Sequence, residues 1–278
     1  MPASVNSGGG AVAAGSSFYA GMRLLPKNER EAMFAIYAFC RAVDDIADEG
    51  TAARDARRAA LNAWRLDIET LYKNKEAERA SYLAPHVTRF HLGKDDFLAV
   101  IDGMEMDVVE DIRAPDLKTL DLYCDRVASA VGRLSVKTFG MDQEPGIHLA
   151  HHLGRALQKT NILRDLDEDA KAGRLYLPRE YLDAAGIPGA DPSAVIANPA
   201  IDAAARLLAR DAHAHYREAG AIMRSGTKGR LAAPRLMGAV YSRILGEMEK
   251  DGWAPPRRRV KLSRGRLLWI VLRHGLFG

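Results

Sequence analysis

Apolar residues recur every three to four positions through most of this chain, separated by short polar breaks, which is the pattern of successive amphipathic helices. Behind Pro26, the run Asn28-Glu29-Arg30-Glu31 has a spacing like a capping box, and the periodicity it opens predicts a helix through Asp48. Residues 52–79 place Leu61, Trp64, Ile68 and Leu71 at helical spacing, with a charged, Ala-rich outer face. Further helices are predicted over about 94–111, 117–139, 146–171, 200–224 and 230–251. The stretch from Gly140 to Gly146 reads as a turn. Asp183 to Pro199, with Gly186, Pro188, Gly189 and Pro192, reads as a loop. Ala and Leu are prominent and β-branched residues sparse, so summed propensity predicts an all-α chain.

The first of these helices breaks its own pattern. Met33, Ile36, Tyr37, Cys40 and Ala47 form a stripe, and Asp44 and Asp48 continue it on the same face. Carboxylates on an inward face are costly unless a cation or a hydrogen-bonding site holds them, so the pattern asks for a ligand. A second pair, Asp165 and Asp169, repeats the four-residue spacing, and Gln158 and Asn161 extend the same side of that helix. This second stripe lies nearly opposite Leu149, Leu153 and Leu163, so periodicity alone reads it as solvated. Two pairs facing each other across a helical cavity would suit hard divalent ions, which take oxygen ligands. Asp45, Asp167 and Glu168 add charge nearby but point elsewhere.

Composition adds the compartment and the surface. The 278 residues are 47% hydrophobic, enough for a large core, and no internal repeat or strong linker divides them. Residues 1–15 are Gly, Ala and Ser without a basic n-region, so they read as a flexible tail and not a signal peptide. No stretch reaches the 18 or so apolar residues of a spanning helix. Cys40 and Cys124 are the only cysteines, which excludes a disulfide framework and fits a reducing, cytoplasmic setting. The net charge of +4 is unevenly placed: Arg257, Arg258, Arg259, Lys261, Arg264, Arg266 and Arg273 cluster at the end, around the apolar run Leu267-Leu268-Trp269-Ile270-Val271-Leu272. Residues 255–278 thus form a basic amphipathic segment, suited to peripheral contact with anionic lipid at the inner membrane or to a last helix packed on the bundle. No nucleic-acid recognition motif accompanies the arginines, and no nucleic-acid partner is expected.

Several of these runs together carry a resemblance. The chain resembles the squalene/phytoene synthase family of head-to-head prenyl transferases through Ser16-Ser17-Phe18-Tyr19, through Ala35-Ile36-Tyr37-Ala38-Phe39-Cys40-Arg41-Ala42-Val43-Asp44-Asp45-Ile46-Ala47-Asp48, and through Gln158-Lys159-Thr160-Asn161-Ile162-Leu163-Arg164-Asp165-Leu166-Asp167-Glu168-Asp169, followed by Arg174-Leu175-Tyr176-Leu177-Pro178. Within the family it is most similar to bacterial presqualene diphosphate synthases of hopanoid biosynthesis, in part through Asp102-Gly103-Met104-Glu105-Met106-Asp107. The resemblance implies a helical bundle of the isoprenoid synthase type with a central cavity, spanning residues 16–254 as one domain. It makes Asp44, Asp48, Asp165 and Asp169 ligands of Mg²⁺, or of Mn²⁺ in its place. Ser17, Arg41 and Arg164 match diphosphate-contacting positions, and Gln158 and Asn161 match polar positions lining the site. Arg41 and Arg164 also suit plain salt bridges to the adjacent aspartates. Tyr37, Tyr123 and Tyr241 match aromatic positions near the diphosphates or reacting chains, and would otherwise be core tyrosines. A C-terminal phosphate-contacting arginine falls at Arg258 or Arg259. The implied reaction joins two farnesyl diphosphates to presqualene diphosphate. A complete squalene synthase would add a reduction by NADPH, which is not expected here, and a phytoene synthase would take geranylgeranyl diphosphate. The product would pass to downstream pathway enzymes.

Overall fold

A computed structural model describes residues 22, 25–48, 52–73, 75–109 and 112–260. The tail at 1–15, Ser17 and the apolar run 267–272 lie outside the described residues. Among the described residues the chain forms helices and no strand: α1 (Lys27–Asp48), α2 (Arg54–Tyr72), α3 (Ala84–Phe90), α4 (Lys94–Val109), α5 (Leu117–Cys124), α6 (Ala130–Thr138), α7 (Gln143–Arg164), α8 (Leu166–Lys171), α9 (Arg179–Ala184), α10 (Pro192–Ala197), α11 (Ile201–Arg224) and α12 (Ala232–Asp251). None of them is long and apolar enough to cross a membrane.

Three departures from the periodicity have local causes. The second predicted helix stops at Tyr72 because the chain folds back: the buried Asp67 carboxylate accepts the backbone N–H groups of Glu78 and Ala80 at 2.8 and 2.5 Å. The predicted 146–171 helix divides at Asp165, whose φ and ψ of −107° and 18° end α7 and start α8. Inside the predicted 183–199 loop, Asp191 caps the short α10, accepting the Ala194 N–H at 2.8 Å, with Pro192 in the first turn.

In one apolar core Phe39 of α1 meets Trp64 of α2 and Phe97 of α4 edge to face, at ring-centroid distances of 5.6 and 5.1 Å. Helix α7 contributes to two others: Leu149, Ala150 and Leu153 pack with Val136 of α6 and Ala219 and Met223 of α11, and Ile162 and Leu163 pack with Leu208 of α11, Leu236 and Leu245 of α12, Leu166 and Trp253. Helix α7 is therefore buried around most of its circumference, from Leu149 and Ala150 to Ile162 and Leu163.

The close approach to α7 comes from a π-helical turn, Asp125–Ser129, inserted between α5 and α6. Its registry is set by the buried Arg155 of α7, which donates to Asp121 at 2.7 and 2.9 Å, to Asp125 at 3.1 Å and to Ser129 Oγ at 2.9 Å. Gly154, next to it, faces Ser129 so closely that a Cβ would lie 2.8 Å from the Ser129 Cα and N atoms. Gly154→Ala is accordingly expected to destabilise the protein by about 1–3 kcal/mol, because the obstacle is backbone and not a yielding side chain. A shift of the urea midpoint at unchanged slope would show it, and an unchanged midpoint would mean that the two helices separate freely.

Candidate active site

Helix α1 has two adjacent inward faces. Ile36, Phe39 and Val43 enter the core, while Tyr37, Cys40, Asp44 and Asp48 line a cavity of about 760 Å³ between α1, the π turn, α6, α7 and α12. The far walls are apolar, with Met33, Phe139, Leu153 and Met237 among them; the acidic groups gather at one end. Asp165 and Asp169 line that same end, so the two predicted pairs share one cavity. The α7 stripe that periodicity reads as solvated borders the cavity at Gln158 and Asn161, because α7 is enclosed on both sides.

A fifth carboxylate joins them. Asp107 of α4 accepts hydrogen bonds from the phenols of Tyr123, at 3.0 Å, and Tyr176, at 2.6 Å, whose rings stack with centroids 4.9 Å apart. Tyr176 arrives on a segment held beside residues 112–114, where Ala114 N–H donates to the Leu175 carbonyl at 2.8 Å and Leu175 N–H to the Ile112 carbonyl at 3.2 Å. Sequence reasoning did not single out Asp107 as a site residue, although the signal was there: it lies three and four residues from the buried Met104 and Gly103 on the inward face of α4.

The charges around this end are unequal. Arg174 donates to Asp48 Oδ1 at 2.8 Å and to the Ala47 carbonyl at 3.0 Å. Arg164 grips Asp165 through two hydrogen bonds of 2.9 and 2.6 Å, and Arg259 adds a third at 2.7 Å. Burial alone would push Asp165 up, but these guanidinium groups hold it below the usual carboxylate range. Asp44 and Asp169 are not so compensated. Burial, then the charge of Asp48, lifts Asp44 to about 6 against the pull of Arg41; burial, then the charge of Asp165, lifts Asp169 to about 7 against Arg174. Burial also raises Asp107, opposed by Arg174 and the two phenols. The cavity end thus carries surplus negative charge, and the buried Asn161 Oδ1 beside it has no hydrogen-bond partner. Clustered carboxylate oxygens with an unused amide oxygen are a donor set that fits hard divalent cations.

The remaining predicted residues separate. Arg41 is at the cavity, paired with Asp44 at 2.8 Å and with the exposed Asp45. Arg164 lies with its Cζ 6.0 Å from the Tyr241 ring centroid, and Tyr241 lines the cavity, as does Tyr123. Both C-terminal arginines, Arg258 and Arg259, are exposed, but only Arg259 lines the cavity and reaches Asp165. Arg257 binds Asp167 at 2.6 and 3.0 Å, and Trp253 Nε1 donates to the Leu163 carbonyl at 3.0 Å, so the described start of the basic segment folds onto α7 and α8. Cys40 and Cys124 are free, and burial pushes both thiols up to about 12, which fits packing and not nucleophilic roles.

Comparison with known proteins places the chain in a family. The family model described as squalene/phytoene synthase matches residues 11–266. A presqualene diphosphate synthase from Zymomonas mobilis subsp. mobilis is 56% identical over 93% of this chain and 88% of its own length. One from Sinorhizobium fredii is 53% identical over 95% and 94%. Among solved structures, a dehydrosqualene synthase with a bound ligand superposes with a TM-score of 0.81 at 25% identity, covering 96% of this chain and 94% of its own. The fold is the helical one of isoprenoid synthases. The chain belongs to the squalene/phytoene synthase family and is a prenyl transferase.

Proposed function

We propose that this protein joins two farnesyl diphosphates head to head, in a Mg²⁺-dependent reaction, to give presqualene diphosphate. The observation that carries the reading is the gathering of Asp44, Asp48, Asp107, Asp165 and Asp169, with four arginines, in a cavity that also has an extensive apolar lining. Relatives bearing the name presqualene diphosphate synthase, at 53–56% identity, support the choice of substrate and product.

Asp44, Asp48, Asp165 and Asp169 would hold the ions, with Asn161 Oδ1 as a further oxygen donor. Mg²⁺ bound there supplies Lewis acidity toward a departing diphosphate. Arg41, Arg164 and Arg259, already at the carboxylates, present permanent charge and paired N–H donors to phosphate oxygens. The C1–O bond of the donor breaks and its electron pair leaves with the diphosphate. Apolar walls at Met33, Phe139, Leu153 and Met237 keep water from the resulting allylic cation, and the electron-rich rings of Tyr37, Tyr123 and Tyr241 stand beside the cavity to stabilise it. The acceptor keeps its diphosphate; its double bond attacks donor C1, and loss of a proton from that carbon closes the cyclopropane. The proton passes to the released diphosphate or to a phenol oxygen, and Asp107 fixes the orientation of Tyr123 and Tyr176 for this stage.

Purified protein with farnesyl diphosphate and Mg²⁺ is expected to form presqualene diphosphate with or without NADPH, read by mass spectrometry. Squalene appearing only with NADPH would move the reading to a complete squalene synthase. Turnover of geranylgeranyl diphosphate alone would move it to a phytoene synthase. The basic run with Leu267–Leu272 supports peripheral lipid contact of a lipid-forming enzyme. Cosedimentation with anionic vesicles should fall several-fold when residues 261–278 are removed, and equal binding by both forms would refute it.

A further inference from the structure

Outside the cavity, three histidines converge where α7 packs on α11. His151, His152 and His215 each offer a ring nitrogen, and all three nitrogens lie within 4.8 Å of one another. The Nδ1 atoms of His152 and His215 are 3.0 Å apart, and the ring centroids are separated by 4.8, 5.2 and 5.9 Å. None of the three lines the cavity. From this geometry we infer that His151, His152 and His215 form a transition-metal site, of the kind that takes Zn²⁺, which staples α7 to α11.

The dimensions suit such an ion. Three imidazoles at 2.0–2.1 Å around a tetrahedral zinc place their nitrogens roughly 3.4 Å apart, so the existing set needs side-chain adjustments on the order of 1 Å. Half-burial of all three rings leaves room for that adjustment and a route for the ion. The lone pairs are available: burial, then the neighbouring Lys159, pushes His215 down to about 3, and burial likewise lowers His151 and His152. The nearby cations are offset, since Arg155 is bound to Asp121 and Asp125 and Lys159 lies 3.6 Å from Asp211. Glu218 adds negative charge beside His152, and water can take the fourth position. Neutral imidazoles favour zinc, cobalt, nickel and copper over Mg²⁺, so this site and the carboxylate end of the cavity sort ions by ligand chemistry. Because Leu153 and Gly154 of α7 line the cavity, an ion here would stiffen one of its walls.

Tag-free full-length protein in excess Mg²⁺, titrated with Co²⁺ and then Zn²⁺, tests the inference. One equivalent of Co²⁺ should give visible bands of tetrahedral nitrogen ligation and three hyperfine-shifted imidazole N–H signals by NMR. Zn²⁺ should displace the cobalt and raise the melting temperature. A double variant, His152→Ala with His215→Ala, should weaken binding at least tenfold and lose the thermal response, while Asp48→Asn should keep both. His215→Gln serves if the double variant does not fold. Absence of stoichiometric binding, absence of shifted imidazole signals, or binding that follows Asp48 and ignores the histidines would overturn it.

Discussion

Asp169→Asn is expected to cut kcat with farnesyl diphosphate by about 10³-fold, equivalent to roughly 4 kcal/mol of lost transition-state stabilisation, and yet to make the metal-free protein more stable. Both effects come from one misfit. Asp169 has its pKa lifted from 3.8 to about 7 by burial first and by Asp165 second, so an ionised Asp169 is a burden on the fold unless a cation arrives. Asparagine keeps the shape and removes both the burden and the anionic oxygen. Between pH 4 and pH 7 the folded state holds a proton that the unfolded chain has released, so this group makes stability fall as pH rises through that window. Above pH 7 the loss is complete; below pH 4 it vanishes. Melting curves in EDTA at pH 4 and pH 8 should therefore show the variant ahead of the wild type only at the higher pH. A variant that turns over normally, or melts lower at pH 8, would show that Asp169 is an ordinary surface carboxylate.

Arg155→Ala is expected to lower stability by about 3 kcal/mol, the low end of what removing one member of a buried ion pair costs. The low end applies because Asp121 is about half exposed, with 54% of its side chain accessible, and can rehydrate. Asp125 also keeps its bond from Arg133 at 3.1 Å. At about 2–4 °C per kcal/mol for chains of similar size, the melting temperature should fall by roughly 10 °C. The same change unties the π turn, whose Val127 and Ala128 line the cavity, so KM should rise more than kcat falls. An unchanged KM would mean that Gly154 and the packing of α7 hold the turn without Arg155.

How far the sequence reaches can be judged on particular residues. Leu61, Trp64, Ile68 and Leu71 are all buried, as their spacing requires, because α2 has one core face and one wet face. Asp44 and Asp48 are legible for the same reason: α1 carries a single apolar arc, and charge on that arc stands out. The Gln158 to Asp169 stripe misleads because α7 packs against α6 and the π turn as well as α11 and α12, and a helix enclosed in this way has no dry face opposite a wet one. Asp107 lay on a legible inward face, but its partners Tyr123 and Tyr176, 53 residues apart in the chain, meet only through folding.

Alone, the sequence determined the helical class, the presence of the main helices, and four of the five carboxylates that line the cavity, since periodicity and residue chemistry are local properties of the chain. Tertiary structure decided which charges remain uncompensated. Arg174 reaches Asp48 across 126 residues and Arg259 reaches Asp165 across 94, so both gain a guanidinium from a distant segment, whereas Asp44 has Arg41 from its own helix and stays raised, as does Asp169 despite the pull of Arg174. It also put Arg259, and not Arg258, at the cavity and brought His215 against His152 across 63 residues. Such pairings depend on how helices cross in space, which spacing along one helix does not encode.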